Sequence, residues 1–144
     1  MTLTGGMVVS RALGRYGIRT VFAVAGASHT HLLDALDRDG LQIVSSRHES
    51  GCVSAADGYA RMADRPAATL LHLGPGLGNG LANLHNARRA ASPIINMVGD
   101  HATYHLHYDA PLTSDAAGVA RPMSDWVRVS RSANDLPQAG AEAF

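Results

Sequence analysis

The chain has 144 residues, 46% of them hydrophobic and 17% charged, which suits one domain with a sizeable core and excludes both a disordered tail and a bundle of membrane helices. Twelve basic and twelve acidic side chains cancel, so there is no electrostatic footprint for duplex nucleic acid or an anionic membrane, and neither is expected as a partner. All twelve basic residues are Arg, and a chain without Lys has neither a Schiff-base lysine nor a P-loop lysine.

Thr4 is placed to cap a helix in which Val9, Leu13 and Tyr16 recur on one face as far as Gly17. The β-branched run Thr20 to Val24, stopped by Gly26, predicts a short buried strand, followed by a helix over about His29 to Arg38 and a strand over Leu41 to Ser45. The third helix carries a stripe of Cys52, Ala55, Ala56, Tyr59 and Ala60, whose small side chains suit close packing against another surface. Ala67 to Leu73 predicts the next strand and Gly74 to Gly80 a glycine-rich turn. Leu81, Leu84, His85 and Arg88 continue as a helix to about Ala91, and Pro93 to Val98 is another buried strand.

From Gly99 to Met123 the pattern is lost, and a long irregular stretch of this kind is usually functional or lies against a partner. Trp126 to Val129 predicts a final strand, and Ser132, Asn134 and Pro137 announce a helix that the chain end cuts short. Near-continuous apolar strands alternating with helices predict an α/β fold: a doubly wound, mostly parallel sheet with helices on both faces. Residues 1–144 read as one domain, a fragment or one subunit of something longer.

Few residues offer chemistry. Glu49, one of only two glutamates, stands at the start of the third helix on the side of the apolar stripe. A first-turn carboxylate favoured by the helix dipole is the plain explanation. Desolvation on an apolar face is the other, and proton-transfer chemistry uses such carboxylates. The run Gly74-Pro75-Gly76-Leu77-Gly78-Asn79-Gly80 follows a strand and opens a helix, where backbone amides can approach an anion or a flat ligand. With Asp100 ending the next strand, Gly76 to Gly80 imitates a dinucleotide-binding oxidoreductase domain, although the glycine spacing is not that of the fingerprint. His72 precedes the glycines and is either a satisfied core histidine or a pocket histidine.

His29-x-His31 and His105-x-His107 are possible imidazole pairs, with Asp34 or Asp109 nearby, but no recognisable metal site is completed and none is assigned. Ser28 lacks the surroundings of a nucleophile elbow. The single Cys52 has no disulfide partner and the N-terminus lacks a secretory signal, so a cytoplasmic setting is expected.

Taken together, Phe22-Ala23-Val24-Ala25-Gly26, Arg47-His48-Glu49 leading into Ala55 to Arg61, Gly74-Pro75-Gly76-Leu77-Gly78-Asn79, and Ala91-Ser92-Pro93 before Val98-Gly99 resemble one family. It is the thiamine-diphosphate-dependent enzymes of the acetolactate synthase and benzoylformate decarboxylase group, in their N-terminal pyrimidine-binding domain. The resemblance implies a lyase or transferase acting on a 2-oxo acid or aldehyde, with Glu49 activating the cofactor through the aminopyrimidine ring nitrogen. It further implies His72 as a second catalytic residue facing substrate, and Ala25, Gly26, Gly74, Pro75, Gly76 and Asn79 lining the cofactor site. Thiamine diphosphate would be completed by a magnesium ion held on a diphosphate-binding domain of a partner chain, in a dimer or larger homo-oligomer whose contact surface includes the Cys52 to Tyr59 face. Ala25, Leu112 and Asp125 depart from the residues common in the family at those places. A non-catalytic dimerisation module is the remaining alternative.

Overall fold

The computed structural model describes residues 3–144, so residues 1 and 2 of the expected domain lie outside it. Thr4 caps the first helix, α1 (Gly5–Arg15), its hydroxyl accepting from the Met7 amide at 3.3 Å. Then follow β1 (Thr20–Ala23), α2 (Thr30–Arg38), β2 (Gln42–Ser45), α3 (Glu49–Ala63), β3 (Ala67–His72), α4 (Leu73–Arg89) and β4 (Ile94–Gly99). The short helices α5 (Ala116–Ala120) and α6 (Leu136–Glu142) complete the chain.

Among the described residues the sheet has four strands in the order β2-β1-β3-β4, all parallel. Val21 lies opposite both Ile43 and Ala68, and His72 lies opposite Gly99. Alternation along the strands feeds two cores, as a period of two requires. Val21, Ala23, Ala68 and Leu70 pack with Leu13, Leu36 and Leu41 on one face, while Phe22, Ala67 and Leu71 pack with residues of α3 and α4 on the other. This is the doubly wound α/β architecture that the sequence predicts.

Three expectations need correction. The stripe of α3 faces the sheet of its own chain: Cys52, Val53, Ala56 and Ala60 are buried, Tyr59 meets Phe22 edge-on at 5.7 Å, and Ala55 is exposed. That face is therefore not available for association. Second, Gly74 to Gly80 is no turn. Helix α4 begins directly after β3, through a left-handed Leu73 (φ +53°).

Third, Trp126 to Val129 forms no strand; Trp126 is 47% and Val129 60% exposed. The neighbouring backbone is instead fastened to α4, where the Arg88 guanidinium donates to Asp125 at 2.9 Å and to the Pro122 carbonyl at 2.7 Å. The irregular 99–123 segment contributes α5, whose Ala116, Val119 and Ala120 pack against the α3–α4 core. Ser132 forms a capping box with Asp135 ahead of α6, and Phe144 stacks on Tyr16 with centroids 4.2 Å apart.

Candidate active site at the strand ends

In an open parallel sheet, ligands bind beyond the carboxyl ends of the strands where the strand order reverses. Here that point lies between β1 and β3, because the chain winds outward from β1 to β2 and from β3 to β4. The residues at this place are the β1 loop, Val24 to Gly26, and the β3–α4 junction, His72 to Gly76. The two meet directly: a Cβ on Gly26 would overlap the His72 ring. Leu73, held at positive φ in this junction, carries strain of about 1–3 kcal/mol, the kind that clusters at functional sites.

Glu49 arrives from β2. The Ser46 hydroxyl and the His48 ring order the preceding turn, with His48 Nδ1 accepting from the Ser50 amide at 3.3 Å, so that Glu49 becomes the first residue of α3. Glu49 as a whole is 7% exposed. Oε2 accepts from the Asn79 side-chain amide at 3.0 Å. Oε1 points over Gly76, where a Cβ would stand 2.8 Å away, tighter than real contacts allow. Two further bonds staple α3 to α4 here: Ser50 Oγ donates to the Asn79 carbonyl at 2.5 Å, and Asn83 donates to the Ser50 carbonyl at 3.0 Å.

His72 is half-buried, and its Cβ lies against the same Gly76 position as Glu49 Oε1. Its Nδ1 meets Ser28 Oγ at 3.4 Å. The structure thus brings Glu49, His72, Gly26, Gly76 and Asn79 together around the first turns of α4. Ala25 is exposed on the β1 loop, and Pro75 is exposed on α4. Gly74 carries Ser114 of the irregular segment packed onto its backbone, which closes one side of the junction.

Cys52, one turn beyond Glu49, is sealed in the core, and burial, with a smaller contribution from the Glu49 charge, pushes its thiol up to about 11. It is no nucleophile. Asp100 is exposed and accepts from the neighbouring His101 amide at 2.7 Å, while Gly76 to Gly80 lie inside α4. A glycine loop opening onto a pyrophosphate is thus missing, which removes the basis of the dinucleotide alternative. His29 is buried whereas His31 is exposed on α2, so these two do not form a pair. His105 lies near His101 and Tyr108, and His107 lies against Tyr108 with ring centroids 3.8 Å apart and the planes tilted by 39°. Among the described residues no group of three or more metal-donor side chains is gathered, and no helix is long and apolar enough to cross a membrane.

Sequence reasoning missed His29 as a neighbour of His72 and Ser114 as a neighbour of Gly74. Only the glycines signalled them, since each such contact needs a residue without Cβ.

Residues 3–121 match the family model described as thiamine pyrophosphate enzyme, N-terminal TPP binding domain, and the chain belongs to that family. It is 51% identical over 142 residues to IlvX of Mycobacterium tuberculosis, a protein provisionally described as an acetolactate synthase large subunit; the match covers 98% of this chain and 27% of IlvX. Over 133 residues it is 32% identical to benzoylformate decarboxylase of Pseudomonas aeruginosa, covering 92% of this chain and 25% of that protein. The thiamine diphosphate-dependent 4-hydroxybenzoylformate decarboxylase of Rhodococcus jostii superposes with a TM-score of 0.91 at 26% identity, covering 98% of this chain and 27% of that one. The chain spans about a quarter of the length of these relatives.

Proposed function

We propose that this chain supplies the pyrimidine-binding part of a thiamine-diphosphate-dependent decarboxylase or carboligase acting on small 2-oxo acids. The observation that carries the reading is the divided carboxylate of Glu49, with one oxygen held by Asn79 and the other facing a surface that Gly76 leaves without a side chain. A flat heteroaromatic ring with a basic nitrogen fits such a place, and the aminopyrimidine end of thiamine diphosphate is one.

In this reading Glu49 Oε1 holds a hydrogen bond to the pyrimidine ring nitrogen and shares its proton. Asn79 fixes the carboxylate, while Ala25 and Gly26 on the β1 loop and Gly74, Pro75 and Gly76 on α4 line the ring's surroundings. His72 stands on the substrate side and exchanges a proton there. When bound, the cofactor supplies an electron sink for the carbon that loses carboxylate. The diphosphate and its magnesium ion are placed on a domain outside these residues, contributed by a partner chain in a homo-oligomer. Relatives named for acetolactate synthase and for benzoylformate decarboxylase support a 2-oxo acid substrate. The sealed Cys52 thiol is compatible with the reducing cytoplasm, where we place the protein.

The test is Glu49→Gln in the assembled enzyme, supplied with its diphosphate-binding domain. Turnover is expected to fall by about 100-fold or more, the range for losing a general acid or base, with cofactor affinity only modestly lowered. If Glu49 merely favours the helix start, the cost is instead about 1 kcal/mol of stability with near-normal turnover, and that result removes the reading.

A further inference from the structure

His29 ends the short 3-10 turn Ala27–His29, is 3% exposed, and has no hydrogen-bond partner on either ring nitrogen among the described residues. An imidazole buried in this way costs stability that an apolar ring would not, so packing alone does not account for it. The ring stands at 85° to that of His72, with centroids 5.2 Å apart, an edge-to-face contact. Backbone makes room for both: a Cβ on Gly99, the last residue of β4, would overlap the His29 ring, as one on Gly26 would overlap that of His72. Residues at the ends of β1, β3 and β4 thus converge on the pair. Ser28 Oγ meets His72 Nδ1, whereas His72 Nε2 makes no hydrogen bond among the described residues.

We propose that His29 is a positioning residue for His72: the buried imidazole, without a partner of its own, resists taking up a proton and holds the outer ring edge-to-face, so that proton exchange is left to His72, with Ser28 at Nδ1 and Nε2 left to substrate. The proposal rests on the reading of His72 as the substrate-side acid or base. Two imidazolium rings in contact repel, and a buried ring resists charge. Burial first, and then the charge of His72, hold the His29 imidazole below its ordinary pKa. The other ionisable groups around the pair are Glu49 of α3, beyond Gly76 from His72, and exposed Asp100 after β4; neither imidazole joins an ion pair among the described residues.

Ring-nitrogen NMR of the full chain against pH tests the coupling. His29 is expected to titrate below the usual histidine range, and its midpoint is expected to rise in His72→Asn, which removes the neighbouring charge and keeps the burial. In the assembled enzyme His29→Phe retains a ring of similar shape; kcat is expected to fall about tenfold and the acid limb of its pH profile to move, with KM and cofactor affinity within about twofold of the parent. A purely structural His29 would leave the pH profile in place. An unmoved His29 midpoint in His72→Asn, or an unchanged kcat profile in His29→Phe, overturns the proposal. Full activity of His72→Asn instead overturns the reading of His72 on which it stands.

Discussion

Asn79 donates to Oε2 of Glu49 across the α3–α4 pair at 3.0 Å, and its own carbonyl accepts from the Ser50 hydroxyl at 2.5 Å. One residue of α4 is therefore bonded to two consecutive residues of α3. The carboxylate can present Oε1 to a ligand without losing its orientation, because its other oxygen is already satisfied within the protein.

Gly76→Ala tests that geometry from the opposite side. A methyl group there would stand 2.8 Å from Oε1, and Asn79 limits how far the carboxylate can retreat. Alanine in a helix is favoured over glycine by about 1 kcal/mol, which offsets part of the clash, so thermal stability should change little. Cofactor binding and turnover in the assembled enzyme should both fall, by about tenfold or more. A Gly76→Ala enzyme with normal cofactor affinity would show that the space over Gly76 is not where the cofactor sits.

A stability prediction separates backbone strain from site chemistry. Helix α4 ends at Arg89 with Ala90 as its C-cap, and Ala91, exposed at the next position, is left-handed with φ +52°. Glycine is the residue that adopts this C-terminal conformation without a Cβ penalty. Ala91→Gly should therefore stabilise the chain by about 1 kcal/mol after the added unfolded-state entropy is subtracted, and leave any activity unchanged. Denaturant unfolding measures it; a loss of stability would mean that Ala91 makes a contact worth more than its strain.

The alternation of apolar runs and helical stripes made the four parallel strands and the first three helices legible, because burial on both sheet faces imposes it. Gly74 to Gly80 reads as a turn from sequence alone, since glycine is a poor helix former. Packing overrides that propensity: Gly74 and Gly76 sit where Ser114 and Glu49 come too close for a side chain, and Gly80 sits tightly against Val53. The small residues of α3 announced close packing correctly, but periodicity does not say whether the sheet or another chain is packed against. Glu49 stands out by position alone and Asn79 by the family resemblance, whereas the bond between them does not, because thirty residues separate them and only the pairing of α3 with α4 brings them together. His29 gave no signal of burial in a polar stretch, its room being made by Gly99 on another strand.

Binding by this chain without a diphosphate-binding domain should be weak. The proposed contact offers one carboxylate oxygen and a small apolar area to the pyrimidine, while the multiply charged diphosphate end needs a metal ion held by carboxylate or amide oxygens. Among the described residues no group of three or more acidic, histidine or cysteine side chains forms such a set. Calorimetric titration with thiamine diphosphate and magnesium should give no saturable heat at micromolar concentrations. Micromolar, magnesium-dependent binding would show that this chain holds the diphosphate itself.

The pH dependence of folding has a sign at each end. On the alkaline side, burial pushes the Cys52 thiol from 9.0 up to about 11, so between these values the unfolded chain has released a proton that the folded chain keeps. The folded state then binds more protons than the unfolded one, and stability falls as pH rises through that window, by on the order of 2 kcal/mol at its upper end. On the acid side His29 is held below its ordinary 6.5, so the unfolded chain takes up a proton first and stability is lost as pH falls from there through the lowered value. Cys52→Ala should flatten the alkaline limb, at the cost of a small cavity in the α3 packing. His29→Phe should flatten part of the acid limb and, by removing an unpartnered buried imidazole, leave stability at neutral pH equal or higher. Denaturant melts of the parent and both variants from pH 5 to 11 measure these slopes. An alkaline limb that persists in Cys52→Ala would assign it to another group, and a marked loss of stability in His29→Phe at neutral pH would mean that the imidazole nitrogens are satisfied after all, by a bound water or ligand.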